Sequence, residues 1–331
     1  MTTQDLQQRA AELIAKVASL RQQLRTQVIG QEVLIDDLLV GMLAGGHILL
    51  EGLPGLGKTL LVRSLARGLG LDFARIQFTP DLMPSDVTGT QVLDEEGGKR
   101  TFRFQKGPVF TGLLLADEIN RATPKTQSSL LEAMQEHAVT VAGVTHALPK
   151  PFHVVATQNP IELEGTFPLP EAQLDRFLFR LDVKTPPAEA MAKILAATTT
   201  SEQTAASTHL GATDLLALQR LVRDVMCGSH LLRFVAEVVL ATHTDRAEVD
   251  DRTRRFVRYG ASARGGQSIV LGAKARALLA GRPAVVRADI DACLLPALEH
   301  RVLLSFEAEA ERVRVADLLP AWRAAAERRS S

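Results

Sequence analysis

Residues 47–70, HILLEGLPGLGKTLLVRSLARGLG, set a short apolar run against a glycine-rich turn and then a segment with apolar residues at helical spacing. The turn, Gly52-Leu53-Pro54-Gly55-Leu56-Gly57-Lys58-Thr59, fits GxxxxGK[ST], and a strand before it with a helix after it is the context that gives the pattern meaning. Glycines let backbone N–H groups turn inward around phosphate, and the N-terminus of the following helix adds its positive dipole. Read this way, Gly52 through Leu60 bind a nucleotide, Lys58 reaches the β- and γ-phosphates, and the Thr59 hydroxyl ligates Mg²⁺.

Outward from this turn, residues 47–184 alternate apolar runs (HILLEG, FARIQF, LLLADEIN, FHVVATQNP, FLFRLDV) with helical segments, the rhythm of a parallel sheet covered by helices on both faces. The runs lack strict polar alternation, as burial on two sides requires. Two helices, over 4–24 and about 31–44, precede the first strand. Residues 90–106, turning at Glu96-Gly97-Gly98, and 138–148, turning at Gly143, read as hairpins that should project from the sheet's working edge. Beyond Pro186-Pro187 the strand pattern ends, and helices are expected over 213–226, 231–244, 262–280, 288–298 and 307–328, with 196–212 as a flexible connection. The division is an α/β nucleotide-binding core with its N-terminal helix at 1–185 and a smaller helical domain at 186–331.

A second motif completes the chemistry. The strand Leu113-Leu114-Leu115-Ala116 ends in Asp117-Glu118, and a buried strand delivers such acids to its C-terminal edge, where open α/β sheets bind ligands. Asp117 is suited to the Mg²⁺ shell and Glu118 to polarising an attacking water. Asn159 closes the next strand, where an amide could orient water or touch the γ-phosphate, although Asn before Pro also starts ordinary turns. Arg176, just before the last strand, and Arg264, opening a helix of the second domain, carry the rigid fork that suits phosphate oxygens; composition alone would make either a surface arginine.

The 331 residues balance 38 Lys plus Arg against 38 Asp plus Glu, so no long-range pull toward nucleic acid or anionic lipid is signalled. The start MTTQDLQQRA lacks a basic n-region with an apolar stretch, and no apolar run approaches a membrane span, which leads to the expectation of a cytoplasmic protein without membrane contact. Cys227 and Cys293 have no CxxC spacing and read as small buried hydrophobes. The eight histidines form no HExxH pattern, and GASAR around Ser262 lacks the last glycine and preceding strand of a hydrolase elbow.

In combination and in order, GLPGLGKT, FTPDLMPSDVTG, FQKGPVF, LLADEINRATPKTQSSLLEAMQE, ATQNPIELEGTFPLPEAQLDRF, GASARG and LEHRV, spread over about residues 25–305, resemble the MoxR family of AAA+ ATPases. The resemblance implies a five-stranded AAA+ core with two hairpin insertions and a helical lid. By position it makes Lys58 and Thr59 Walker A, Asp117 and Glu118 Walker B, Asn159 sensor 1, Arg176 the finger that completes a neighbour's site, and Arg264 sensor 2. Ala263 stands where the family more usually has proline. The Val28-Ile29-Gly30-Gln31 match implies that Gln31 lies by the adenine pocket, a buried apolar turn being the alternative. ATP with Mg²⁺, a ring that is most often a hexamer, and a client protein complex, often involving a von Willebrand factor A domain protein, follow from the same resemblance.

Other classes fit less well. A small-molecule phosphotransferase has no use for the helical third or the LDRF segment, and no NKxD segment reads guanine. A nucleic-acid-remodelling AAA+ protein would use the run Arg252, Arg254, Arg255 and Arg258, which could equally be a solvated face or a subunit contact. A magnesium-chelatase-like motor subunit shares the mechanism, but PEAQLDRF favours MoxR.

Overall fold

In the computed structural model, which describes residues 3–96, 99–160, 165–198, 209–246 and 248–330, two helices lead into the sheet: α1 (Thr3–Gln27) and α2 (Glu32–Leu43). Then come β1 (Ile48–Glu51), α3 (Lys58–Gly68), β2 (Phe73–Gln77), α4 (Pro84–Thr88), β3 (Gly89–Glu96), β4 (Lys99–Lys106) and β5 (Leu113–Asp117). They are followed by α5 (Pro124–Glu136), β6 (Ala138–Val141), β7 (Val144–Ala147), β8 (His153–Gln158), α6 (Glu171–Leu174) and β9 (Phe179–Asp182).

Five strands pair in parallel in the order β2-β5-β8-β1-β9. This is the α/β core expected from the alternation of apolar runs and helices. Side chains alternate across it: Ile48, Leu50, Leu113, Leu115 and Val155 enter one apolar cluster with α1, α2 and α3, while Leu49, Leu114, Ala116, Val154 and Ala156 enter another with Leu130, Leu131 and Met134 of α5. Burial on both faces is why these strands read as unbroken apolar runs. Helix α1 packs through Leu13, Val17, Leu20 and Leu24, a seam at helical spacing, each side chain contributing about 1.5–3 kcal/mol on leaving water.

The C-terminal part comprises α7 (Ala188–Thr198), α8 (Ala212–Asp224), α9 (Ser229–Ala241), α10 (Asp251–Phe256), β10 (Val257–Tyr259), α11 (Ala263–Leu279), α12 (Arg287–Leu298), β11 (Leu303–Leu304), α13 (Phe306–Ala310) and α14 (Val315–Ser330). Three expectations are corrected here. Strands do not cease after Pro187, since β10 pairs antiparallel with β11. The helix expected over 307–328 is two helices, broken where Arg312 takes φ 56. Ala188–Thr198 is helical and overlaps the start of the expected flexible connection, whose residues 199–208 lie outside the described ones. The sole tryptophan, Trp322, is fully buried and donates its indole N–H to Thr253 Oγ1 at 2.7 Å, tying α14 to α10.

The hairpins form, with Gly97-Gly98 of the first turn outside the described residues. Their placement differs from the expectation. The β6–β7 hairpin leaves the C-terminus of α5 and enters β8 at His153, so it is rooted at the N-terminal edge of the sheet, opposite the phosphate turn. Phe104 of β4 stacks on His146 of β7 with ring centroids 4.0 Å apart, joining the hairpins to each other. Cys293 is buried as expected, whereas Cys227 is only half-buried.

Candidate active site

The phosphate turn lies where β1 gives way to α3. Gly55 (φ +82) and Gly57 (φ +77) take left-handed conformations that L side chains rarely adopt, which bends the backbone around an open cradle. Lys58 Nζ donates to the carbonyls of Gly52 and, at 3.0 Å, Leu53, so its ammonium is folded over the turn. Burial lowers the Lys58 pKa, while Asp117, Glu118 and Glu51 pull the other way.

Across a cavity of about 410 Å³ from Lys58 and Thr59 stand Asp117, Glu118 and Asn159, delivered by the C-terminal ends of β5 and β8. The phosphate turn and the acids are therefore brought together as the motifs required. Asp117 is buried and held from two sides: Arg75 donates to Oδ2 through Nε (3.0 Å) and a terminal nitrogen (2.7 Å), and Thr157 Oγ1 donates to Oδ1 at 2.6 Å. Glu118 sits at φ 56, ψ 50, a backbone state that costs a residue with a Cβ roughly 1–3 kcal/mol. Its N–H donates to Thr157 Oγ1 at 2.8 Å, and its Oε2 accepts from Gln77 (2.7 Å) and Arg121 (3.0 Å). A strained acid whose backbone and carboxylate are both held is the arrangement found where a side chain must be aimed. The donor set of a hydroxyl and a carboxylate beside a glycine cradle fits Mg²⁺ shared with phosphate oxygens, because that ion takes oxygen ligands and few protein ones.

None of these four partners, Arg75, Gln77, Arg121 and Thr157, was singled out in the sequence reading. Arg75 and Gln77 lie two apart on β2, hence on one face, and β2 pairs with β5 so that Gln77 faces Asp117. Thr157 lies in β8, two residues before Asn159, which follows the strand's last residue, Gln158. The period of two was the available signal, but nothing in the strand's composition separates these polar residues from solvated ones.

The remaining candidates lie elsewhere. Gln31 is buried, donates to the Lys184 carbonyl at 2.6 Å, and lines a cleft of about 430 Å³ between the start of α2, β9 and α12. Arg180 in that cleft pairs with Glu51 at 2.6 Å, and Glu51 immediately precedes the phosphate turn, so the two hollows adjoin. Burial raises the Glu51 pKa against the pull of Arg180.

Arg176 and Arg264 are brought to each other and not to the phosphate turn. Both line a cleft of about 270 Å³ with Gly45, Gly46 and His47, at the N-terminal end of β1. The four residues of β1 set that edge on the order of 10 Å from the turn. Arg176 donates to the Leu131 carbonyl, and its Nε is buried without a hydrogen-bond partner. Arg264 lies 3.5 Å from Asp175, which Arg301 already engages at 2.8 Å. In the basic run, Arg255 pairs with Glu307 (2.5 Å) and Glu311 of α13, a tie within this chain.

Residues 47–179 match the model of the ATPase family associated with various cellular activities (AAA), and residues 249–322 match the AAA lid domain. The chain is 43% identical over 287 residues to Chaperone MoxR1 of Mycobacterium tuberculosis, covering 86% of this chain and 75% of that one. This chain belongs to the MoxR family of AAA+ ATPases. Protein MoxR of Paracoccus denitrificans is 35% identical over 295 residues, covering 84% of this chain and 86% of that protein. A crystal structure of a protein from Cytophaga hutchinsonii, assigned as an ATPase, superposes with a TM-score of 0.90 at 37% identity over 97% of both chains. As a MoxR-family member, the chain is a P-loop enzyme that hydrolyses ATP, with the C-terminal helices as its lid. Among the described residues, no helix is long and apolar enough to cross a membrane.

Proposed function

We propose that the chain works as a ring, in relatives most often a hexamer, in which each ATP is bound by one subunit and fired with help from the next. The observation that carries this reading is the separation of the charges. Asp117 and Glu118 share a cavity with Lys58, whereas Arg176 and Arg264 lie together at the other edge of the same sheet.

Within a subunit, Gly52 through Leu60 wrap the phosphates, Lys58 exchanges its carbonyl contacts for β- and γ-oxygens, and Thr59 and Asp117 hold Mg²⁺. The ion, when bound, offsets phosphate charge. Glu118 takes a proton from the attacking water, and Asn159 orients that water or the γ-phosphate. Gln31 flanks the adenine in the cleft beside β9. Arg176 and Arg264 reach the neighbouring subunit's γ-phosphate, where such a group is worth roughly 10³–10⁵ in rate.

The working division is a core at 1–185 and a lid at 186–331, with hydrolysis shifting one against the other. A cytoplasmic client protein complex, matured or remodelled by that motion, is the substrate of the machine. A partner with a von Willebrand factor A domain is the candidate carried by the family resemblance. The test is ATP turnover and assembly mass against protein concentration for the natural chain and for Glu118→Gln. Turnover that rises with assembly, and an ATP-trapped assembly without turnover in Glu118→Gln, are the expected results. Full turnover in dilute monomers would reject the shared site.

A further inference from the structure

Arg301 lies in the turn after α12, and only 2% of its side chain is exposed. An arginine has five N–H groups to place, and here every one of them is engaged. Nε donates to Asp175 Oδ1 at 2.8 Å. One terminal nitrogen donates to the carbonyls of Leu178 (3.1 Å) and Ala297 (2.6 Å), and the other to those of Asp175 (3.1 Å) and Phe177 (2.5 Å). Asp175, Phe177 and Leu178 stand on either side of Arg176, so a buried cation from the C-terminal helical part grips the backbone that carries Arg176. His300 adds to the hold, its Nε2 donating to the same Phe177 carbonyl at 3.0 Å.

The same cation reaches the surroundings of Arg264. Asp175 also accepts from Ser262 Oγ at 3.1 Å, and Ser262 caps α11 by accepting the Arg264 N–H at 3.2 Å. The stem of Arg301 packs beside the next residue, where a Cβ added at Gly265 would stand 3.2 Å from Arg301 Cδ. The three arginines of the cleft differ in what they can still donate. Arg176 has a buried Nε without a partner, and the Arg264 side chain is 52% exposed and 3.5 Å from Asp175. Arg301 has no donor left for a phosphate.

We propose that Arg301 is a positioning residue for hydrolysis, one that fixes the directions in which Arg176 and Arg264 are offered to a neighbouring subunit. The proposal rests on the shared-site reading above and adds to it the group that holds those two arginines in place. A buried ion pair is a poor source of stability, because desolvation offsets the attraction. A rigid planar fork supplies direction instead, and a small misplacement of an attacking or stabilising group is costly in rate. Arg301 acts from the lid on a segment of the core, so the lid sets the finger.

Arg301→Lys tests this, since it keeps the charge but cannot meet five acceptors from one nitrogen. At saturating ATP and full assembly, phosphate release should fall at least tenfold. The affinity of dilute protein for a fluorescent ADP, and the assembled mass with a non-hydrolysable ATP analogue, should stay within twofold of the natural chain. The defect should also lie in what the subunit gives its neighbour: co-assembly with Lys58→Ala should regain turnover, and co-assembly with Arg176→Ala should not. If Arg301→Lys is found unfolded by urea titration, Asp175→Asn carries the same test with a loss of about threefold or more. A natural rate in the folded variant while Arg176→Ala is inactive would overturn the positioning role and leave the shared site standing. So would a loss that Lys58→Ala does not relieve although it relieves Arg176→Ala, or a matching loss of ADP affinity, either of which marks a merely structural residue. Arg176→Ala at the natural rate would overturn both readings.

Discussion

Thr157 is the residue on which the geometry of both acids converges. Its side chain is fully buried, its hydroxyl donates to Asp117 Oδ1 at 2.6 Å, and its oxygen accepts the Glu118 N–H at 2.8 Å. Thr157→Val keeps the shape nearly unchanged and deletes both bonds. A hydrogen bond to a charged group contributes about 1.5–3 kcal/mol and a neutral one about 0.5–1.5 kcal/mol, so folding stability should drop by about 2–4 kcal/mol. The consequence for turnover is separate. The Glu118 backbone is held in its left-handed state in part by that N–H bond, and without it the residue can relax toward an unstrained conformation and aim its carboxylate elsewhere. Turnover under saturating ATP and full assembly should therefore fall at least tenfold, while Thr157→Ser restores both stability and rate. Urea unfolding and steady-state phosphate release measure the two effects. A Thr157→Val protein within 0.5 kcal/mol and twofold in rate of the natural chain would refute the reasoning.

Other outcomes follow from the same structure. A Cβ at Gly46 would stand 2.4 Å from Leu178 Cβ, close to backbone, whereas one at Gly41 would meet the outer side chain of Ile48, Cδ1 at 2.6 Å and Cγ1 at 3.0 Å; Gly46→Ala should cost about 1–3 kcal/mol in urea unfolding and Gly41→Ala less. Burial lowers His153 to a pKa of about 4 and His47 to about 3, below the unfolded value near 6.5. As pH falls through 6.5 the unfolded chain takes up protons that the folded imidazoles refuse, so each histidine makes stability fall with pH until its folded pKa is reached. Asp37, raised to about 6 by burial, works in the opposite sense as pH falls from about 6 to about 4. Comparing His153→Gln with the natural chain isolates one imidazole: the variant should lose about 2 kcal/mol less stability between pH 6.5 and 4.5 in urea titrations. Lys58→Ala should weaken fluorescent-ADP binding at least a hundredfold with little effect on unfolding, since its contacts are with carbonyls of an exposed turn.

Legibility in the sequence tracked burial and local pattern. The five core strands were readable because burial on both faces leaves them apolar, and the phosphate turn because its glycines and Lys58 are fixed by a single local motif. Asp117 and Glu118 were readable because a strand must end somewhere and this one ends in two acids. Arg75, Gln77 and Thr157 were not, since their significance comes from strand order: β2 lies beside β5, and β8 on its other side. A polar residue within an apolar strand shows no neighbour until the sheet is assembled. The same holds for Arg264, whose position beside Arg176 depends on how the lid packs through Arg301 and Asp175. The β6–β7 hairpin was expected at the wrong edge because sequence marks a hairpin's turn but not the end of the sheet from which it departs.

The most direct measurement mixes two dead proteins. Lys58→Ala lacks its own phosphate contact but keeps Arg176, and Arg176→Ala keeps the phosphate turn but lacks the finger. If a site is completed by the neighbour, an equal mixture regains turnover at about a quarter of the sites, the product of two halves in a head-to-tail ring. Turnover that stays at zero in mixtures shown to co-assemble, or Arg176→Ala alone at the natural rate, would contradict the shared active site.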